Sequence, residues 1–321
     1  MAYRILVAGL VFFMFPSLAS AWSRPGHMVT AAVAYEAMKE ATPEALGATL
    51  TLLRQHPHYP TLFRPEIERF DLSAEEQDIY LFMLASRWAD DIRDKEEFDR
   101  AEWHYINIPY KPEGQPESVV VLPPPEPNIV MALEENRNIA SGLDTTRDPA
   151  VALTWLFHLV GDVHQPLHTT RLFTTAWPDG DRGGTRFYVL DQPLGAVVSL
   201  HTLWDNLIIG TDRFADVRDK ANELRSTYPR PEAAPPESGY EPEDESEGDG
   251  GDFEAWAQEG HEVAKEVAYL RGELQGGTTE ATAVLLPADY ASASGAVAAE
   301  RAAVAGYRLA EFLAELLAGT E

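Results

Sequence analysis

The segment His158-Leu159-Val160-Gly161-Asp162-Val163-His164-Gln165-Pro166-Leu167-His168 sets three histidines and an aspartate in an otherwise apolar run. An apolar helix that packs a core seldom carries imidazole at this density, because every buried ring needs a hydrogen-bond partner. His158 and Asp162 stand at i and i+4, so a helix projects both from one face, where they can grip a single ion. Neutral imidazole and carboxylate are a usual ligand set for Zn2+. The segment therefore calls for a helix with a ligand-bearing face and for further ligands from elsewhere in the chain.

Asp148-Pro149 supplies the N-cap and first-turn proline of that helix. Thr42-Pro43-Glu44 does the same ahead of an apolar run to Leu53, and Ser73-x-x-Glu76 is a capping box for a helix reaching about Ile92. Helix-compatible apolar spacing recurs over Pro127 to Leu143, Asp212 to Ser226, Phe253 to Leu270 and Ala298 to Leu317. Only Thr185 to Leu190 and Ala196 to Leu200, joined across Asp191 to Gly195, read as a hairpin. The expected fold class is all-α: a single mainly helical domain with a small β-hairpin. Lys111 to Pro127, containing Pro123-Pro124-Pro125, reads as an extended surface loop. Residues 229–252, rich in Pro, Gly, Ser, Glu and Asp, read as a disordered acidic insertion.

Residues 1–21 read as a cleaved secretory signal peptide. Arg4 gives a basic start, Ile5 to Phe15 an apolar stretch, and Ala19-Ser20-Ala21 a small-residue cleavage site. The expected domain is then 22–321, secreted or periplasmic, without stable membrane association and monomeric. The chain has no cysteine, so an exported form lacks disulfides and any metal must be held by nitrogen and oxygen. The formal net charge of -27 argues against a broad basic footprint for duplex DNA. A small phosphate-bearing substrate remains open, because bound ions can be the largest local charges.

Candidate ligands occur in four more places. His201 and Asp205 repeat the i,i+4 pair; Asp90 ends an apolar helix in Trp88-Ala89-Asp90; His104 sits in Trp103-His104-Tyr105; His27 follows Trp22 closely. Cleavage after Ala21 would leave Trp22 with a free α-amine, itself a nitrogen donor for zinc. His56, His58 and His261 read as surface residues.

Together these elements resemble the zinc-dependent single-strand nucleases and 3′-nucleotidases, the family of mung bean nuclease, whose fold is shared with bacterial zinc phospholipase C. The chain is identified as a bacterial-type member. The resemblance rests on Trp22 with Gly26-His27, Trp88-Ala89-Asp90-x-Ile92-Arg93, His104, and the His158 to His168 block. Asp181-x-Gly183-Gly184, His201-x-x-x-Asp205 and Ala305-Gly306-x-Arg308-Leu309-Ala310 follow in family order. It implies three Zn2+ per chain. One is held by Asp90, His104, His158 and Asp162, and a second by His168, His201 and Asp205. The third takes the Trp22 amine and carbonyl, His27 and a bridging Asp162. His164 is left as support for the site.

The implied reaction is hydrolysis of single-stranded RNA and DNA to 5′-mononucleotides and removal of phosphate from 3′-nucleotides. Clustered zinc ions suit it because a bound water titrates near neutrality and neighbouring ions can clamp the phosphate. Arg93, one turn from Asp90, is placed to neutralise charge growing on the phosphoryl oxygens. Asn107 stands where the family carries an Asp that orients water; it can hydrogen-bond but cannot act as a base. Thr185 likewise replaces the family's Asn after Gly183-Gly184. Tyr105 is a candidate stacking surface for a nucleobase. Two alternatives use the same ligands, a zinc phospholipase C and a non-catalytic periplasmic zinc-binding protein.

Overall fold

The computed structural model describes residues 22–93, 97–230 and 252–318; the expected signal peptide and nearly all of the expected acidic insertion lie outside the described residues. In chain order the helices and strands begin with α1 (Arg24–Ala41), α2 (Pro43–Leu53), α3 (Arg64–Ile67), α4 (Ala74–Asp91), β1 (Ile108–Tyr110), α5 (Ile129–Ala140) and α6 (Pro149–Val163). They continue with α7 (Pro166–Thr169), β2 (Thr170–Leu172), β3 (Tyr188–Leu190), β4 (Val197–Ser199), α8 (Leu200–Asp205), α9 (Phe214–Thr227), α10 (Phe253–Val263), β5 (Val284–Leu285) and α11 (Tyr290–Ala318). The fold is mainly helical, as the sequence predicts.

Helix starts follow their caps. The Ser73 side chain accepts from Glu76 N while the Glu76 carboxylate accepts from Ser73 N, closing the capping box of α4. The Asp148 carboxylate accepts from Ala150 N, leading into Pro149 at the first position of α6. The sequence reading does not anticipate α1. Met28, Val29, Ala31, Ala32, Val33 and Ala34 are all fully buried, because α1 is enclosed by α4, α9 and α11. A helix covered on all sides carries no polar face, so its periodicity is weak. At Gly306 of α11 a Cβ would lie 2.5 Å from the Val33 side chain and 2.8 Å from Thr30 O, so glycine lets α11 approach α1 backbone to backbone. α11 also starts at Tyr290, ahead of the expected Ala298.

The expected hairpin is present as the antiparallel pair β3 and β4, with Val189 opposite Val198. Two further pairings correct the single-hairpin reading. β5 runs parallel to β3, and β1 runs parallel to β2 with Ile108 opposite Thr170. Parallel partners distant in the chain leave no local turn signature. The β1–β2 ladder lays the segment after His104 against the segment after His168, where Ile106 N also donates to His168 O (2.9 Å).

Candidate metal centre

The fully buried carboxylate of Asp162, on the inner face of α6, is the centre of the site. Such a charge is stable only with close compensation. Asp162 Oδ1 lies 3.1 Å from His27 Nε2 of α1; Oδ2 lies 2.9 Å from His104 Nδ1 and 3.2 Å from His158 Nε2. Burial alone would raise its pKa, but His158, His168 and the hydrogen bonds from His104 and His158 hold the carboxyl well below its ordinary range.

Backbone carbonyls fix which ring nitrogens face inward. His158 Nδ1 donates to Ser86 O of α4 (2.8 Å), His168 Nδ1 to His104 O, and His201 Nδ1 to Gly183 O (2.6 Å). A carbonyl only accepts, so each Nδ1 carries a proton and each Nε2 faces inward, able to ligate through its lone pair whenever the ring is neutral. His104 is oriented the other way. Its Nδ1 faces Asp162 and lies 3.0 Å from His158 Nε2. His27 stacks on His158 with ring centroids 4.0 Å apart. This stacking requires Gly161, where a Cβ would come within 2.6 Å of His27 Nδ1.

Three buried groups of side chains converge closely enough to hold a metal ion: His27, His158 and Asp162; Asp90, His104 and His158; and His168, His201 and Asp205. The donor sets fit a zinc-like cation. Donor separations of 2.9, 3.0, 3.2 and 3.9 Å around His104, His158, Asp162 and Asp90 span the ~3.3 Å edge of a tetrahedron with bonds near 2.0–2.1 Å. Asp90 Oδ2 and His168 Nε2 are buried with no hydrogen-bond partner among the described residues. Burial with no satisfied partner is costly unless something else meets those lone pairs.

Arg93 faces the second group, its guanidinium 2.9 Å from Asp90 Oδ1 and 3.5 Å from His104 Nδ1. Tyr105 is half-buried just outside, and Asn107 takes the left-handed conformation (φ 60°) at the turn into β1. Trp22 is fully buried ahead of α1, and Ser23 N donates to Asp205 O (2.9 Å), so the start of α1 abuts the third group.

Two supporting residues have no role in the sequence reading. Gln165 donates from Nε2 to Asp205 Oδ1 (2.7 Å) and accepts from Leu167 N (2.6 Å), leaving Asp205 Oδ2 to face His201 Nε2 at 3.7 Å. Asp181 accepts from Leu172 N (2.9 Å), Gly184 N (2.9 Å) and the Tyr269 hydroxyl (2.6 Å), fixing the turn whose Gly183 carbonyl orients His201. Gln165 is a polar residue within the apolar first motif, and Asp181 opens the Asp181-x-Gly183-Gly184 motif; those were the available signals.

His164 lies outside the three groups. Its Nδ1 donates to Val160 O (2.7 Å) and its Nε2 meets Arg308 (3.0 Å), whose guanidinium also grips Glu259 through two bonds. The surface assignment of the remaining histidines is corrected. His56 is buried against Phe63 and Trp88, its Nδ1 accepting from His58 N (2.9 Å). His58 is half-buried and accepts from Trp88 Nε1 (3.0 Å). His261 is buried and bonds to Thr170 Oγ1 (3.0 Å). Aromatic neighbours cover the first two rings, and α10 packs His261 onto α7 and β2.

A comparison with curated proteins gives no match. The sequence model of the S1/P1 nuclease family matches residues 22–318, a span that carries all three ligand groups, and the chain belongs to the S1/P1 nuclease family.

Proposed function

We propose that this chain is an exported three-zinc phosphodiesterase that hydrolyses single-stranded RNA and DNA to 5′-mononucleotides and removes the phosphate of 3′-nucleotides. Family membership gives the coarser statement, a hydrolytic nuclease acting on nucleic acid. The observation that carries the finer one is the set of three buried His/Asp groups, two of them sharing His158. Asp90, His104, His158 and Asp162 would hold one zinc, and His168, His201 and Asp205 a second. His27, Asp162 and the α-amine and carbonyl of Trp22 would hold the third. Zinc ions there supply Lewis acidity and a water acidic enough to ionise near neutral pH.

The chain's own groups do the rest. The Arg93 guanidinium, aimed at the Asp90 end of the site, neutralises charge gathering on phosphoryl oxygens. Asn107 offers hydrogen bonds to water without taking a proton, so it orients water rather than acting as a base. Tyr105 gives a nucleobase a ring to stack on. No helix among the described residues is long and apolar enough to cross a membrane.

The test compares a chain starting at Trp22 with one carrying an extra N-terminal residue, by zinc content and phosphate release from 3′-AMP. We expect three zincs and EDTA-sensitive release from the first, with one zinc and most activity lost from the second. An extended chain that keeps both overturns the Trp22 role. Fully metallated protein inert on 3′-AMP and single-stranded DNA but active on phosphatidylcholine overturns the nuclease reading.

A further inference from the structure

The chain carries 52 acidic residues against 25 Lys and Arg, so most of its cations sit beside a carboxylate. Among the described residues, Arg171, Arg182 and Arg186 form no ion pair, although they share one short segment. Arg182 and Arg186 are exposed, and Arg171 is half-buried. The Arg171 guanidinium lies over the Phe173 ring, its stem against Gly180, and donates to Asp179 O, yet its buried Nε has no hydrogen-bond partner. Burial and the neighbouring charges of Arg182 and Arg186 lower its pKa; Asp181 and Asp179 oppose that shift without pairing with it. Like charges held together in an acidic protein are unfavourable unless an anion joins them.

The backbone there is equally specific. Arg182, Gly183 and Gly184 are consecutively left-handed, with φ of 56°, 61° and 80°. Arginine in that region costs about 1 kcal/mol, a strain that persists where the surroundings impose it. The imposing group is Asp181, whose carboxylate holds the turn, and the same turn aims the Gly183 carbonyl at His201. The backbone of Arg182 is therefore held at a fixed offset from the third ligand group. Arg171 and Arg182 also lie within electrostatic reach of the Tyr105 hydroxyl, on the same side of the site.

We propose that Arg171, Arg182 and Arg186 form a phosphate-binding track leading away from the His168, His201 and Asp205 group, which takes the backbone of a single-stranded polynucleotide beyond the cleaved bond. This rests on the nuclease reading and deepens it. A strand gains from the track, whereas a mononucleotide carries no phosphate that reaches it.

The test uses the metal-loaded protein and the double variant Arg182→Gln/Arg186→Gln, with oligothymidylate and 3′-AMP as substrates over a range of salt. The ratio of kcat/KM for oligothymidylate to that for 3′-AMP should fall about tenfold. The slope of log KM against log salt should shrink by about 1.4, at ~0.7 per lost phosphate contact. Arg182→Lys/Arg186→Lys should restore most of the slope, and Arg64→Gln/Arg69→Gln, on ion-paired exposed arginines, should change neither quantity. An unchanged ratio and slope, or equal losses on both substrates, overturns the track. So does inorganic phosphate binding as tightly as the strand. If wild-type protein cleaves neither substrate, the nuclease reading has failed. Anisotropy of a phosphorothioate oligothymidylate then still decides the track, through the same salt slope.

Discussion

The groups around Asp162 and the group around Asp205 hold similar donors in different ways. His27, Asp90, His158 and Asp162 project from the long packed helices α1, α4 and α6, and their side chains contact one another directly. His168 and His201 come from the short helices α7 and α8, and each is oriented by a carbonyl from outside the long helices, whereas the carbonyl that orients His158 belongs to α4. The carboxyls differ accordingly. Histidines and hydrogen bonds outweigh burial at Asp162, whereas burial, opposed chiefly by Gln165, pushes Asp205 well above its ordinary range. Packed helices make one half rigid by shape; the other half depends on a few hydrogen bonds from loops.

The sharpest way to break this contrast is Gly161→Ala. Alanine favours a helix by about 1 kcal/mol, so α6 should survive. Its Cβ would displace His27, and we expect one metal lost per chain and hydrolysis down about 100-fold, read by metal content and kcat. Retention of all metal would show that shape does not hold His27 in place. A smaller effect is expected from Gln165→Leu, which frees Asp205 Oδ1. The metal at His168, His201 and Asp205 should weaken about tenfold in competition with a chelator, while the other two stay. Weakening of all three would mean that the halves act as one unit.

The smallest effect concerns stability. His261 of α10 touches β2 beside the loop-built half, and burial lowers its pKa to about 4. His56 lies behind α4 of the helical half, and burial lowers its pKa to about 3. Unfolded, both bind a proton near pH 6.5, so the unfolded chain holds more protons below that pH. Stability is therefore fully present above about pH 6.5 and falls as pH drops, until each folded pKa is reached. Each histidine contributes a slope of about 1.4 kcal/mol per pH unit. In urea melts of EDTA-treated protein, His261→Gln should lessen the slope between about pH 6 and 4, and equal slopes in both proteins would refute the shift.

The contrast also explains what was legible in the sequence. Ser73, Asp148 and Pro149 announce α4 and α6 because capping is local chemistry. His158, Asp162, His201 and Asp205 stand out because i,i+4 spacing is visible in one dimension. α1 was hidden by its burial on every side, and the β1–β2 ladder by the distance between its partners. Gln165 was on view within the first motif, but its bond to Asp205 exists only in three dimensions. His56 and His261 look like surface residues until the aromatic and helical packing around them is known.

The ladder between Ile108 and Thr170 has a bearing on how the molecule assembles. It closes a loop that contains all of α5 and α6, and such long-range pairings form slowly because closure entropy precedes any contact. His104 and His168 face each other only once that loop has shut. The chain can thus collapse around its helices and gather His27, His158 and Asp162 while the groups that need His104 or His168 are still open. Cation capture at those two groups would then be a late event that locks a nearly finished fold, and its free energy would act as a brake on unfolding.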